Sequence, residues 1–192
     1  LIPEMNRTGS HLFAAALRGF GVNALVMETG KGTDLGLEFS SGKECYPCHI
    51  TLGDILRHVR VEKEKRGRLF NSDDYIYFMP EAEGPCRFGM YNKYQRIILD
   101  SFPELRGLKI GSLTTANGYS MDGIIEEAKV GDLRKSGYLS IVIGDIMDRL
   151  LWRIRPYEKA PGLADEFING AIQRMERSFE SLSAGKAFDN IL

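Results

Sequence analysis

The sequence predicts an α/β fold, in which a parallel sheet is flanked by helices and followed by a helical C-terminal extension. Short apolar segments alternate with helical patterns over residues 1–114, as in a parallel sheet covered by helices. Beyond this stretch the pattern is helical alone. Glycine is frequent, at 21 of 192 residues, which favours tight turns over a plain helical bundle. We therefore expect a Rossmann- or flavodoxin-like domain over residues 1–115, with residues 116–192 as a helical extension packed on it.

Residues 1–3 read like the tail of a strand, and the elements that follow are assigned from apolar periodicity and from breaker residues. Ser10 is the predicted N-cap of the first helix. In the first half of the chain we expect a helix to about Arg18, a strand over 22–27, a Gly/Ser-rich loop over 28–44 and a helix over 46–65.

The second half continues the alternation and then becomes helical. Pro103 marks the end of the helix that precedes the third internal strand. The expected elements are a strand over 74–79, a loop over 80–86, a helix over 88–100, a strand over 108–113, helices over 121–135 and 138–154, a break over 155–162 and a helix over 163–182.

Composition excludes several classes of protein. With 43% hydrophobic and 27% charged residues the chain is globular in character, which excludes gross disorder. Because 25 basic residues nearly balance 26 acidic ones, we expect the protein to bind neither nucleic acid nor an anionic membrane surface. No apolar run approaches the ~18 residues of a membrane helix, so a cytoplasmic protein is expected. The chain opens at Leu1 without an initiator Met, which suggests a domain fragment of a longer polypeptide.

The three cysteines are the candidate functional residues. An odd number excludes a closed disulfide framework. Pro47 suits a first-turn position, so Cys45 and Cys48 are expected at a helix N-terminus, where the macrodipole favours thiolate. Cys86 lies in a second strand-to-helix loop. Such loops open at one edge of a parallel sheet, and we therefore expect the three thiols to converge.

The residues alone leave four interpretations of these thiols open. In the first, the thiols are small buried hydrophobes. In the second, Cys45 and Cys48 form a redox pair, and in the third a histidine completes a zinc site with the thiols. In the fourth, the thiols are ligands of an iron–sulfur cluster with one open coordination position. The redox interpretation leaves Cys86 unexplained. For zinc, His49 adjoins Cys48 in an awkward direction, and His11 and His58 lack ligand-like spacing.

Two segments resemble a known family. Residues 41–54 (SGKECYPCHITLGD) and 78–94 (FMPEAEGPCRFGMYNKY) resemble segments of the 2-hydroxyacyl-CoA dehydratase-related proteins. They are most similar to the long chains known as CoA-substrate-specific enzyme activase-related proteins. The similarity extends over about residues 1–115 and is most specific at the two cysteine segments.

The resemblance implies a 4Fe–4S cluster held by Cys45, Cys48 and Cys86 and lost readily in air. It also implies an ATP-dependent activase, in the same parent chain or separate, that supplies a low-potential electron. In the dehydratases this electron reaches a 2-hydroxyacyl-CoA, and the resulting ketyl radical eliminates water. Dehydratase subunits are larger than this chain, so we expect a cluster-binding electron-transfer domain, lyase-like only within a complete complex. The alternative is a zinc-binding or metal-free structural or interaction domain of a larger protein.

Two further motifs suggest phosphate binding. Gly30-Lys31-Gly32-Thr33 resembles a phosphate loop, but it lacks the GxxxxGK[ST] pattern and no helical pattern starts there. The basic run over residues 57–68 is a candidate docking patch for CoA phosphates. Cations near a helix C-terminus complement its dipole, which is the simpler explanation of that run.

Overall fold

The computed structural model describes residues 1–114 and 125–182, and these are mostly helical with a small parallel sheet. In chain order the elements are α1 (Arg7–Gly19), α2 (Thr33–Glu38), α3 (Tyr46–Arg66), β1 (Ile76–Phe78), α4 (Tyr91–Asp100), β2 (Lys109–Gly111), α5 (Glu127–Ile154) and α6 (Leu163–Leu182). Short 3₁₀ segments lie between several of them. The chain forms two compact units, one of Leu1–Pro3 and Val26–Met121, the other of Glu4–Leu25 and Asp122–Leu192.

The first unit contains the sheet. Strands β1 and β2 pair in parallel, with Tyr77 opposite Ile110. Ile2 and Val26 form an isolated parallel bridge nearby in the same unit. Both strands lie inside the predicted ranges but are only three residues long. The parallel pairing agrees with the sequence, whereas the described sheet is smaller than expected.

The strand predicted over residues 22–27 is reduced to that single bridge. The Ala24 N–H donates to the Val22 carbonyl at 2.8 Å, a contact between residues two apart that turns the backbone away from an extended path. Leu25 is half exposed, at 49%. Of the predicted strand, Val26 and Met27 take part in parallel pairing. Val26 forms the bridge with Ile2, and the Met27 N–H donates to the Ile2 carbonyl at 2.8 Å.

A short helix, α2, replaces part of the loop predicted over 28–44, and it crosses α3 at very close range. A Cβ placed on Gly32 would lie 2.1 Å from the Gly53 carbonyl oxygen, and one on Gly53 would lie 1.9 Å from that of Gly32. A Cβ on Gly36 would lie 1.9 Å from the His49 carbonyl oxygen. Since no side chain fits between the two backbones, all three positions require glycine.

Helix α3 is the central element of the first unit. It forms over Tyr46–Arg66, close to the predicted 46–65. Its inner face packs with β1, α4 and the segment before β2 in one hydrophobic cluster. The most deeply buried members of that cluster are Leu52, Ile55, Tyr77, Met79, Leu99 and Leu108. Burial of such side chains contributes ~1.5–3 kcal/mol each, so this core holds the N-terminal half of α3 in place.

The second unit contains α1, α5 and α6, and α1 packs against both of the others. Leu12, Ala15 and Ala16 of α1 form a cluster with Phe179 of α6. The predicted N-cap at Ser10 is wrong, because α1 begins three residues earlier. The Gly9 N–H donates to Asn6 Oδ1 at 2.7 Å, so asparagine supplies the side-chain cap.

The two helices predicted over 121–135 and 138–154 are one helix, α5, over its described range. Ser136, Ser140 and Gly144 are buried at four-residue spacing, a spacing that stays on one helical face only if the helix continues. A Cβ on Gly137 would approach the Phe13 ring of α1 to 3.4 Å. Small residues here serve packing and do not break the helix. Residues 121–124 of the predicted helix lie outside the described residues.

The predicted domain boundary at residue 115 stays a prediction, but the two units differ from it in one respect. Residues 4–25, assigned by sequence to the first domain, lie in the second unit, because α1 buries its apolar face against helices there.

The break over 155–162 is confirmed as a 3₁₀ turn (Arg155–Tyr157) and a loop before α6. Within the described residues, no helix combines the length and apolarity needed to cross a membrane.

Replacing Gly53 by Ala is expected to lower the free energy of unfolding by about 3 kcal/mol, since overpacking forces the two backbones apart. Urea denaturation followed by circular dichroism measures the change. Gly131→Ala is the matched control, because this helical glycine of α5 has nothing within 4 Å of its added Cβ. The control should gain about 0.5 kcal/mol from helix propensity. Equal midpoints for the two variants would contradict the close crossing.

Candidate functional site

Cys45 and Cys48 lie at the start of α3, as predicted. Cys45 is the N-cap residue, and Pro47 occupies the first turn. The Cys48 N–H donates to the Cys45 carbonyl at 2.8 Å. Cys45 is half-buried and Cys48 is buried, at 2% exposure. The crossing of α2 over α3 and the core beneath α3 therefore determine where both thiols lie.

Cys86 is the N-cap of a 3₁₀ segment, Arg87–Met90, which leads directly into α4. It is exposed. A Cβ on Gly89 would lie 2.1 Å from the Ala82 carbonyl oxygen, so the loop before Cys86 packs tightly on this segment. Asn92 donates to Glu81 at 3.0 Å and secures the same loop to α4. The predicted strand-to-helix position of Cys86 is confirmed.

Two contacts connect the cysteine segments. The Arg87 guanidinium donates to the Lys43 carbonyl, which brings the residue after Cys86 to the loop before Cys45. The Tyr91 side chain at the start of α4 packs in the hydrophobic cluster that contains Cys48 and lies within electrostatic range of all three sulfurs. Burial, the largest cause, and interactions with the cysteines raise the pKa of Tyr91 to about 12. Tyr91 therefore lies close to both cysteine segments.

The thiols themselves differ in their electrostatics. Burial, with smaller contributions from the nearby Glu44 carboxylate and Cys45, raises the pKa of Cys48 to about 12. At Cys48 burial therefore outweighs the expected preference of the helix N-terminus for a thiolate. The macrodipole contributes ~0.3–1 kcal/mol at exposed positions, which is less than the cost of burying a thiolate. A metal at this position must displace a proton.

Glu44 organises the loop that leads to α3. Its carboxylate accepts from the Ser41 hydroxyl at 2.8 Å, from the Ser41 N–H at 3.1 Å and from the Ser40 hydroxyl at 3.1 Å. These hydrogen bonds, led by that from the Ser41 side chain, lower the pKa of Glu44 to about 2. The loop is thus held by a charged acceptor throughout the neutral pH range.

The histidines considered for a zinc site differ in their surroundings. His49 is buried beside Cys48, with Nε2 at 3.4 Å from the Ser40 hydroxyl, and its Nδ1 has no hydrogen-bond partner among the described residues. His11 pairs with Glu176 at 2.7 Å in the second unit. No three His, Cys, Asp or Glu side chains of the described residues are grouped to hold one metal ion.

The absence of such a group among the described residues bears differently on the zinc interpretation and on the cluster interpretation. A single tetrahedral zinc ion needs its sulfurs around one centre at about 2.3 Å. A 4Fe–4S cluster binds each thiolate to a different iron, so its cysteines stand farther apart. Three cysteine sulfurs on two connected segments suit the donor preference of iron–sulfur clusters. The cluster interpretation and the zinc interpretation both stay predictions.

The candidate phosphate loop has a structural role. The Gly30 and Gly32 N–H groups donate to the Asp54 carboxylate at 3.1 and 3.3 Å. Backbone N–H groups used in this way are not available to cradle a phosphate. In the basic run, Arg57 pairs with Glu28 and Lys63 with Glu104. These contacts explain both motifs without a ligand.

Sequence reasoning missed the proximity of Tyr91 to the thiols. Its place in the helical pattern of residues 88–100 suggested only an apolar side chain. The ring is indeed buried, at 6% exposure, but it also lies within electrostatic range of the three sulfurs. A usable signal was its position five residues after Cys86 on a helix that follows a cysteine loop.

Comparison with known proteins gives no match: no family model matches the chain, and no curated protein or solved structure is significantly similar to it.

The burial of the thiols predicts the order in which they react with iodoacetamide in the metal-free protein. Cys86 should react first and Cys48 last, by a factor of at least about 100, since attack requires an accessible thiolate. Peptide mass spectrometry after timed quenching measures the three rates. In denaturant the rates should converge, which is the control. If native Cys48 reacted as fast as Cys86, the described burial of Cys48 would be wrong.

Proposed function

We propose that the first unit is a 4Fe–4S domain related to the 2-hydroxyacyl-CoA dehydratases, with Cys45, Cys48 and Cys86 as the cluster ligands. The observation that carries the proposal is that the two cysteine segments lie next to each other, joined by the hydrogen bond from Arg87 to the Lys43 carbonyl. Cys45 and Cys48 come from the start of α3 and Cys86 from the segment before α4. The location of Tyr91 within electrostatic range of all three sulfurs supports this arrangement.

The backbone hydrogen bonds near the sheet support a more specific fold than a two-stranded sheet alone. The Leu1 amino group donates to the Ile76 carbonyl at 2.6 Å, and the Phe78 N–H donates to the Leu1 carbonyl at 2.8 Å. Together with the Ile2–Val26 bridge, these bonds align four chain segments in parallel. The resulting order is the segment at 26, the N-terminal segment, β1 and β2. We propose that this is the flavodoxin-like order 2-1-3-4.

In this proposal the domain accepts low-potential electrons from an ATP-dependent activase module in the cytoplasm. A cluster with three thiolate ligands supplies one-electron transfer and an open coordination position. The domain then contributes to the dehydration of an acyl-CoA only as part of a larger lyase complex. The support for these partners is the resemblance of residues 41–54 and 78–94 to the dehydratase-related family.

Anaerobic purification with iron and sulfide analysis tests the ligand assignment. We expect about four irons and four sulfides per chain, with an EPR signal on reduction, as a 4Fe–4S cluster requires. Cys86→Ser should lose most of the bound iron, because an exposed thiolate ligand is removed. Stoichiometric zinc in place of iron would support the zinc-binding alternative.

Met90→Ser is the matched control for Cys86→Ser. Met90 is a sulfur-bearing residue on the same 3₁₀ segment, and it is 58% exposed. It offers no thiolate, so its replacement should leave the iron content unchanged. Anaerobic protein that carries neither iron nor sulfide after reconstitution would refute the proposed function. A Cys86→Ser protein with full iron content would remove Cys86 from the ligand set.

A further inference from the structure

One face of α5 carries exposed side chains of the kinds found at protein interfaces. Five of them form what we call the exposed stripe: Tyr138, Ile141, Asp145, Arg149 and Trp152. The tyrosine, the isoleucine and the tryptophan are exposed by 69%, 61% and 66%. Neighbouring apolar side chains left open on a surface mark interaction sites, and Trp, Tyr and Arg dominate the centres of interfaces.

The spacing of the exposed stripe keeps it on one side of the helix. Its successive members are three or four residues apart, as neighbours on a helical face are, and together they extend for about 21 Å along the axis. The buried residues Ser140, Gly144 and Met147 follow the same spacing on the opposite face. Because that opposite face makes the packing contacts within the second unit, the exposed stripe is available to another molecule.

The two charged side chains of the exposed stripe make no contacts of their own among the described residues. Asp145 and Arg149 are four residues apart, a spacing that allows an ion pair on one helix. Neither side chain forms an ion pair or a hydrogen bond with another described residue. At the same spacing on α4, Arg96 and Asp100 do pair, at 2.7 Å. Both charges of the stripe can therefore serve a partner.

The order of side chains along the exposed stripe is complementary to its own reverse. Residues 141, 145, 149 and 152 read apolar, negative, positive, apolar. In an antiparallel pair of α5 helices that cross near residue 147, Asp145 of each copy faces Arg149 of the other, and Ile141 faces Trp152. A two-fold axis thus satisfies both charges and covers the apolar ends together. A parallel pair would instead set like charges against each other.

We propose that the exposed stripe is a dimer interface, in which α5 packs antiparallel against α5 of a second copy of the chain. The charge pattern selects this occupant, because the stripe matches its own reverse at both charged positions. Contacts in which the same patch serves both subunits are the commonest in soluble oligomers. The inference goes beyond the proposed function and needs no cluster at the cysteines.

Sedimentation equilibrium of the wild-type chain is the first test. The average mass should rise from one chain towards two between about 1 and 300 µM, as expected for the small interface of one helix pair. Trp152 is the only tryptophan, so its fluorescence maximum should shift to shorter wavelength over the same range as its ring leaves water. A mass of one chain with constant emission throughout would overturn the proposal.

Charge reversals test the antiparallel arrangement. Asp145→Arg gives a stripe with two positive charges, and Arg149→Asp gives one with two negative charges. Each variant alone should dimerise at least about tenfold more weakly than wild type, because like charges then face each other. An equimolar mixture should regain the lost affinity as a mixed dimer. Single variants that dimerise like wild type, or a mixture that associates no better than its components, would contradict the proposal.

Asp132→Arg is the matched control. It makes the same reversal at an exposed residue of α5 that lies outside the exposed stripe and pairs with Lys135 at 3.1 Å. Its dimerisation should equal that of wild type, and a loss as large as in Asp145→Arg would show that net charge governs association and would overturn the role of the stripe. Circular dichroism checks that each variant keeps its helices, and the wild-type mass and emission need no variant.

Discussion

The close crossing of α2 over α3 is the constraint on which the geometry of the cysteines depends. Gly32, Gly36 and Gly53 let the two backbones touch without side chains between them. The buried carboxylate of Asp54 then accepts the N–H groups that lead into α2. Burial raises the pKa of Asp54, and the hydrogen bonds from Gly30 and Gly32 oppose that shift. The start of α3, with its two cysteines, is thereby held against a fixed neighbour.

A second constraint is the competition between burial and the helix dipole at Cys48. The dipole favours a thiolate at a helix start, whereas burial raises the pKa of the Cys48 thiol. Burial prevails because a thiolate loses its hydration in the core and gains only partial charges in return. Binding of a metal would change this balance, since the metal supplies the positive charge that the core does not. Metal loading should therefore release protons.

The sequence predicts those features of the site that depend on local chemistry. Pro47 marks the first turn of α3 and so identifies where Cys45 and Cys48 lie. The parallel pairing of β1 and β2 likewise follows from alternation of strands and helices. The helix α2 could not be predicted, because Gly36 within it has low helix propensity and the helix forms in contact with α3. Likewise, the proximity of Tyr91 to the cysteines depends on segments distant in sequence.

The core of the first unit does not require the thiols to be bound to a metal. Leu52 and Ile55 of α3 are fully buried against β1 and α4, and this packing supplies the free energy that small metal-dependent domains draw from their ions. Only Cys48 among the three cysteines belongs to the buried core, while Cys86 lies exposed at its edge. If Cys86 is a ligand, as proposed, its replacement should change metal binding and leave the fold in place, so the iron content of such variants would report on ligation rather than on folding.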